Sequence, residues 1–243
     1  MGYVFAKHIF GIKGSYAVDP QKGAVVMTLT TQGDAPIHYT LDGSEPTAAS
    51  PRYTEPVEIG KSARFRATAL REGGDNASYS REFAFSKSTG RPAVLNTKPN
   101  DSYTFEGASL LVDGYHSRPV FTSGAWLGYL DEPLDVTIDM GGEQSYRSVE
   151  LETLAEKGDW IFPPSSVTVW VSDNGTDFTE VASVAVPEAK AGDADGIGRY
   201  RMQFPETSAR YLKVVAQNAA AIPAWHPGAG SKGFLFVDEV VVE

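Results

Sequence analysis

Residues 167–182, VTVWVSDNGTDFTEVA, read as a strand, a turn and a second strand. Val167, Val169 and Val171 recur every second residue, as side chains do on one face of a half-buried strand. Ser172 to Phe178 then gathers turn formers around Asn174-Gly175, a pair that readily accepts the positive φ values of a hairpin turn. The same period of two continues on both sides, in Val136/Ile138/Met140, Val149/Leu151, Tyr200/Met202/Phe204, Leu212/Val214/Ala216 and a last strand from Phe234 to Val242. Helical windows are almost absent: only Val149 to Lys157 and Pro187 to Asp195 have room for a turn or two, and the first also fits a strand. A (β/α)8 barrel or a nucleotide-binding α/β fold needs many helices between its strands, so the pattern argues against both. Neither a phosphate-binding G-x-x-x-x-G-K-[ST] nor a G-x-S-x-G nucleophile motif occurs.

The first part of the chain is also built from strands. Val25/Met27/Leu29, Ile37/Tyr39/Leu41, Phe65/Ala67/Ala69 and Tyr79/Arg81/Phe83/Phe85 alternate, with turn signals at Gly33-Asp34, Asp42-Gly43-Ser44 and Gly73 to Asn76. Short strands with frequent turns predict a small antiparallel sandwich of immunoglobulin or fibronectin type. From Phe85 to Asn100 the alternation fades, and Ser86, Ser88, Gly90, Pro92 and Pro99 read as a linker. The expected organisation is therefore a domain over 1–88, a linker over 89–99 and a second domain over 100–243.

At 243 residues, with 42% apolar and 21% charged residues, the chain has enough apolar content for a core in each domain, and no run is long enough for a membrane-spanning helix. Charge is uneven: up to Ser88 there are 10 Lys and Arg against 9 Asp and Glu, and beyond it 11 against 22. The acidic second part would repel a phosphate backbone, which argues against nucleic acid and leaves a neutral ligand such as a sugar open. The absence of cysteine removes disulfides, thiolate metal sites and cysteine nucleophiles. The start, MGYVFAKHIFGIKGSY, lacks the features of a signal peptide and reads as Met-Gly ahead of a strand cut from a longer chain.

The segment IHYTLDGSEPTAASPRYTEPVEI, Ile37 to Ile59, with ARFRATAL after it, resembles the small β-sandwich that follows the catalytic barrel in bacterial β-N-acetylhexosaminidases and chitobiases of glycoside hydrolase family 20. Its core, Tyr39 to Thr47, is a strand, a turn and a Pro-stopped excursion, and is read as structural. The second part resembles discoidin-like domains related to coagulation factor 5/8 type C modules and family 32 carbohydrate-binding modules. The matching pieces are LLVDG (Leu110 to Gly114), GAWLGY (Gly124 to Tyr129), VTIDMG (Val136 to Gly141), the hairpin from Val167, ARYLKVVAQN (Ala209 to Asn218) and FVDEVVV (Phe236 to Val242). Together these imply an all-β chain of two β-sandwiches, an immunoglobulin/fibronectin-like domain followed by a discoidin-like jelly roll. They also imply a catalytic domain on the N-terminal side and a periplasmic or cell-surface location.

Family 20 enzymes use an adjacent Asp-Glu pair to exploit the substrate's own acetamido group. Asp131-Glu132 and Asp238-Glu239 are such pairs, but neither follows the H-x-G-G of that site, and no catalytic residue is expected. In a regular strand Asp238 and Glu239 would also point to opposite faces. His8, His38, His116 and His226 lack metal-ligand spacing. The resemblance implies a structural Ca2+, with Asp113 at the family's Asp-Gly position and Glu239 as the late acid. DGYHSRPVF departs from that family's loop, however, and leaves two ligands without a counterpart. For sugar contact, an aromatic ring meets the C–H face of a pyranose while polar side chains meet its hydroxyls. The candidates are Trp160 and Phe162 in GDWIFPPS and Trp225 and His226 in PAWHPGAGSK, residues that would equally serve to pack the loops or dock a catalytic barrel. Trp126 near a core position and Trp170 within a strand are read as packing residues.

Overall fold

The computed structural model describes residues 11–31, 35–71 and 76–243, which divide into compact units ending at Phe85 and starting at Ser86. His8, the strand expected at the start, and the turn signals at Gly33-Asp34 and Gly73 to Asp75 lie outside the described residues.

The first unit contains β1 (Ile12–Asp19), β2 (Ala24–Thr31), β3 (Ile37–Thr40), β4 (Val57–Ile59), β5 (Ala63–Ala69) and β6 (Ala77–Phe83). They form two three-stranded antiparallel sheets, ordered β1-β2-β4 and β3-β5-β6. The alternating residues Val25, Met27, Leu29, Phe65, Ala67 and Phe83 are buried as their spacing requires. At the Asp42-Gly43-Ser44 turn, Gly43 takes a φ of 86°, and Asp42 Oδ1 accepts from Ser44 N (2.9 Å) and Ser44 Oγ (2.6 Å). The polar residues of this motif thus bond to the turn itself.

The second unit contains β7 (Ala93–Leu95), β8 (Leu127–Tyr129), β9 (Leu134–Ala155), β10 (Ser166–Ser172), β11 (Thr179–Ala185), β12 (Gly196–Gln217) and β13 (Leu235–Val242). One sheet runs β11-β10-β12-β9-β13-β8, with β7 added on β9. β9 and β12 are 22 residues each and pair along most of their length, with register shifts between Gln203 and Thr207 and between Ala209 and Tyr211. Val136 and Ile138 from the first half of β9 share one core with Val149 and Leu151 from its second half. The long sheet therefore folds over on itself, and its two halves form the layers of a sandwich.

The opening hairpin is β10–β11, with Val167, Val169 and Val171 buried. Only Gly175 takes a positive φ (77°); Asn174 instead lends its side-chain oxygen to the N–H groups of Thr176 and Asp177, both at 2.9 Å. Val149 to Ala155 is strand, one of the two alternatives its pattern allowed. One expectation needs correction. Residues 89–99 are not a linker: Gly90 N donates to Val112 O (2.8 Å), and Ala93 pairs with Ile138. A strand of three residues is too short to show a period of two, so the flanking Gly and Pro dominated the pattern.

Candidate functional site

β9 ends at Ala155, and the turn Lys157–Asp159 hands the chain to Trp160, whose backbone is left-handed (φ 63°). A bulky residue adopts this region only under constraint. The constraint here is a short ribbon: Phe234 N donates to Trp160 O (2.8 Å) and Phe162 N to Phe234 O (2.9 Å). The facing loop closes on itself through Ile222 N to Ser231 O (2.8 Å) and Gly230 N to Ile222 O (2.9 Å). His226 joins the two loops. Its Nε2 donates to Lys157 O (2.9 Å) and its Nδ1 accepts from Gly228 N (3.0 Å), which fixes a single tautomer.

All four candidates for sugar contact thus meet at one end of the domain. The His226 ring is the hub, with Phe162 and Trp225 each at 5.5 Å and Trp160 at 6.1 Å, all edge to face. Their exposures separate their roles: Trp160 is 43% and Trp225 40% exposed, against 9% for His226 and 2% for Phe162. His226 and Phe162 therefore leave the expected sugar-contacting set. Both ring nitrogens of His226 are committed to backbone, and Phe162 is packed against Trp225 and Gly233 with almost none of its ring exposed. Trp225 Nε1 donates to Ala189 O (2.9 Å), tying in a third loop, and Asp195 from that loop receives Lys157 N at 3.1 Å. Sequence reading missed this loop's contact with Trp225 because the partner there is a backbone carbonyl, which carries no residue-type signal.

Trp160 lies against Gly228, where an added Cβ would sit 2.8 Å from the ring. Gly228→Ala should push Trp160 from its seat with little loss of stability, since the ring edge faces solvent. The measurement is tryptophan emission together with the melting midpoint; an unchanged spectrum would contradict this packing.

A second cluster lies under the 113–117 loop. Tyr115 N donates to Asp113 Oδ1 (2.7 Å), Gly114 N to Glu239 Oε1 (3.2 Å) and Ser117 N to Asp238 Oδ2 (2.7 Å). Asp238 and Glu239 were expected on opposite faces, yet both are buried against this one loop. The register of β13 on β9 shifts between Val237 and Val240, and such a bulge breaks the alternation. Burial raises both carboxyls well above the ordinary range; the neighbouring Asp113 charge raises them further, and Glu239 also feels Asp238. Glu239 Oε2 is buried without a hydrogen-bond partner. Beside them, His116 Nδ1 lies 2.9 Å from Glu152 Oε2, and Arg199 Nε bonds Glu152 Oε1. Burial pushes Glu152 up, but the bonds from His116 and Arg199 outweigh it and hold its carboxyl low, while Glu152 holds His116 high. The other acidic pair is occupied at the surface: Asp131 meets Lys232 (2.6 Å) and Glu132 accepts from Lys98 N (2.9 Å).

An orphaned carboxylate oxygen beside two further buried acids suits a hard cation. Among the described residues no three His, Asp or Glu side chains converge on one point, so a cation held by Asp113 and Glu239 would draw on backbone carbonyls as well.

Comparison with known proteins adds the following. Residues 27–83 match the family described as Fn3 associated, and residues 96–232 the F5/8 type C domain. The comparison with curated proteins found no match. Among solved structures, the chain is similar to chitosan-binding module 1 from a chitosanase/glucanase of Paenibacillus sp. IK-5. That likeness has 17% identity and a TM-score of 0.43, and covers 65% of this chain and 98% of that one. Module 2 of the same enzyme, in complex with chitotriose, has 17% identity and a TM-score of 0.41 over 64% of this chain and 98% of that one. A Clostridium perfringens module, CpGH89CBM32-5, in complex with GalNAc-beta-1,3-galactose, has 16% identity and a TM-score of 0.42 over 62% of this chain and 93% of that one. With over half of its residues matched, the chain belongs to the F5/8 type C domain family.

Proposed function

We propose that the chain is a non-catalytic, sugar-binding accessory region and that Trp160 and Trp225 are its sugar-contacting residues. The observation that carries this is the pair of half-exposed rings packed edge to face against buried His226. Rigid aromatic faces lose little entropy on binding, which is what a weak, hydroxyl-rich ligand requires. Family membership supports the same reading. The resemblance of both domains to the C-terminal region of family 20 enzymes supports a parent β-N-acetylhexosaminidase that removes terminal β-linked N-acetylglucosamine or N-acetylgalactosamine in the periplasm or at the cell surface. In that reading Asp113 and Glu239 hold a structural Ca2+, which would neutralise the buried acids and fix the 113–117 loop; no chemistry passes through it.

A glycan array tests the proposal. Wild type should bind a defined set of glycans, and Trp160→Ala should weaken that binding roughly tenfold or more, the scale of a central aromatic contact. A scaffold whose loops only pack or dock would give no signal with either protein, and that result would overturn the proposal.

A further inference from the structure

A cleft of about 330 Å3 lies where the loop after Phe162, the segment Val186 to Ala189 and the segment Ala219 to Ala224 meet. Its walls include Pro163, Pro164, Val186, Pro187, Ala221 and Ile222; Ser165 and Glu188 are its polar side chains, and no Lys, Arg or His lines it. Ser165 Oγ is already engaged, donating to Asn218 O at 2.9 Å. Such walls offer nothing to a phosphate or carboxylate, and a bare pyranose pushed inside would leave its hydroxyls without partners. What fits is an apolar group on a ligand whose polar part stays outside. Trp225 does not itself line the cleft but adjoins it: the wall residue Phe162 has its ring 6.3 Å from that of Trp225, and the carbonyl of the wall residue Ala189 accepts the Trp225 N–H.

We propose that this cleft receives the acyl chain of an N-acylated amino sugar whose ring rests on Trp225, so that the domain selects sugars by acylation. This rests on the reading of Trp160 and Trp225 as sugar-contacting residues. The volume exceeds an acetyl group, so longer acyl chains should gain further.

The test is a binding series with the intact chain and methyl glucosaminides bearing no acyl, acetyl, propanoyl and butanoyl groups, repeated with Ala221→Leu and Trp225→Ala. Affinity should rise about fourfold for each methylene that is fully buried. Ala221→Leu, which fills the cleft, should flatten the series while keeping the affinity for the unacylated sugar. Affinity independent of acyl length in wild type would overturn the cleft assignment, even if Trp225→Ala abolishes binding and so upholds the sugar site. If no member binds at any concentration, and the glycan array also gives no signal, both readings fall.

Discussion

Adding calcium to the metal-free chain at neutral pH should raise the melting temperature of the second unit by roughly 5–10 °C. A site filled at about a hundred times its dissociation constant stabilises by ~2.7 kcal/mol, and a domain of this size gains about 2–4 °C for each kcal/mol. Asp113, Asp238 and Glu239 are buried together, and Glu239 keeps one oxygen without a hydrogen-bond donor. Without a cation, ionising Glu239 would put charge into a site whose burial and neighbouring acids oppose it. Glu239→Gln should therefore do two things at once. It should melt higher than wild type in a chelator, because the amide carries no charge, and it should lose the calcium response. Calorimetry with chelator and with calcium measures both; wild type indifferent to calcium would remove the metal from the reading.

His226→Ala should destabilise the same unit by about 3 kcal/mol, or roughly 6–12 °C, and abolish glycan binding as well. The substitution strips partners from Lys157 O and Gly228 N, and removes the ring that Trp160, Phe162 and Trp225 all touch. His226 is a positioning residue in this account. His226→Asn, whose side-chain oxygen can still accept from Gly228 N, should recover part of the stability and part of the binding. Denaturant melts and titration with a glycan found on the array separate this from direct contact. A histidine that touched sugar would lose binding on substitution while the melt stayed unchanged.

Much of the molecule was legible in the order of residues. Period-two alternation located most of the second unit's strands, because a face against a core must be apolar at every second position. Asn174-Gly175 marked the hairpin, and the loops carrying Trp160 and Trp225 were identifiable as aromatic residues among turn formers. What each residue does there was not legible. Phe162 and His226 sit in the same motifs as the two exposed tryptophans, and only burial separates them. Nothing in the local pattern around Glu152 marks it as buried, yet it is fully buried and meets His116 from the 113–117 loop.

By itself the sequence determined the all-β class, the strand positions and the acidic character of the second part, since these follow from local alternation and summed charge. Tertiary structure alone decided that residues 89–99 join the second unit, that a bulge turns Asp238 and Glu239 toward one loop, and that three loops are tied together through Lys157, Trp225 and His226. Those outcomes depend on hydrogen bonds and ring contacts between residues far apart in the chain. Backbone carbonyls, bulges and burial leave no mark in the identity of the residue that carries them.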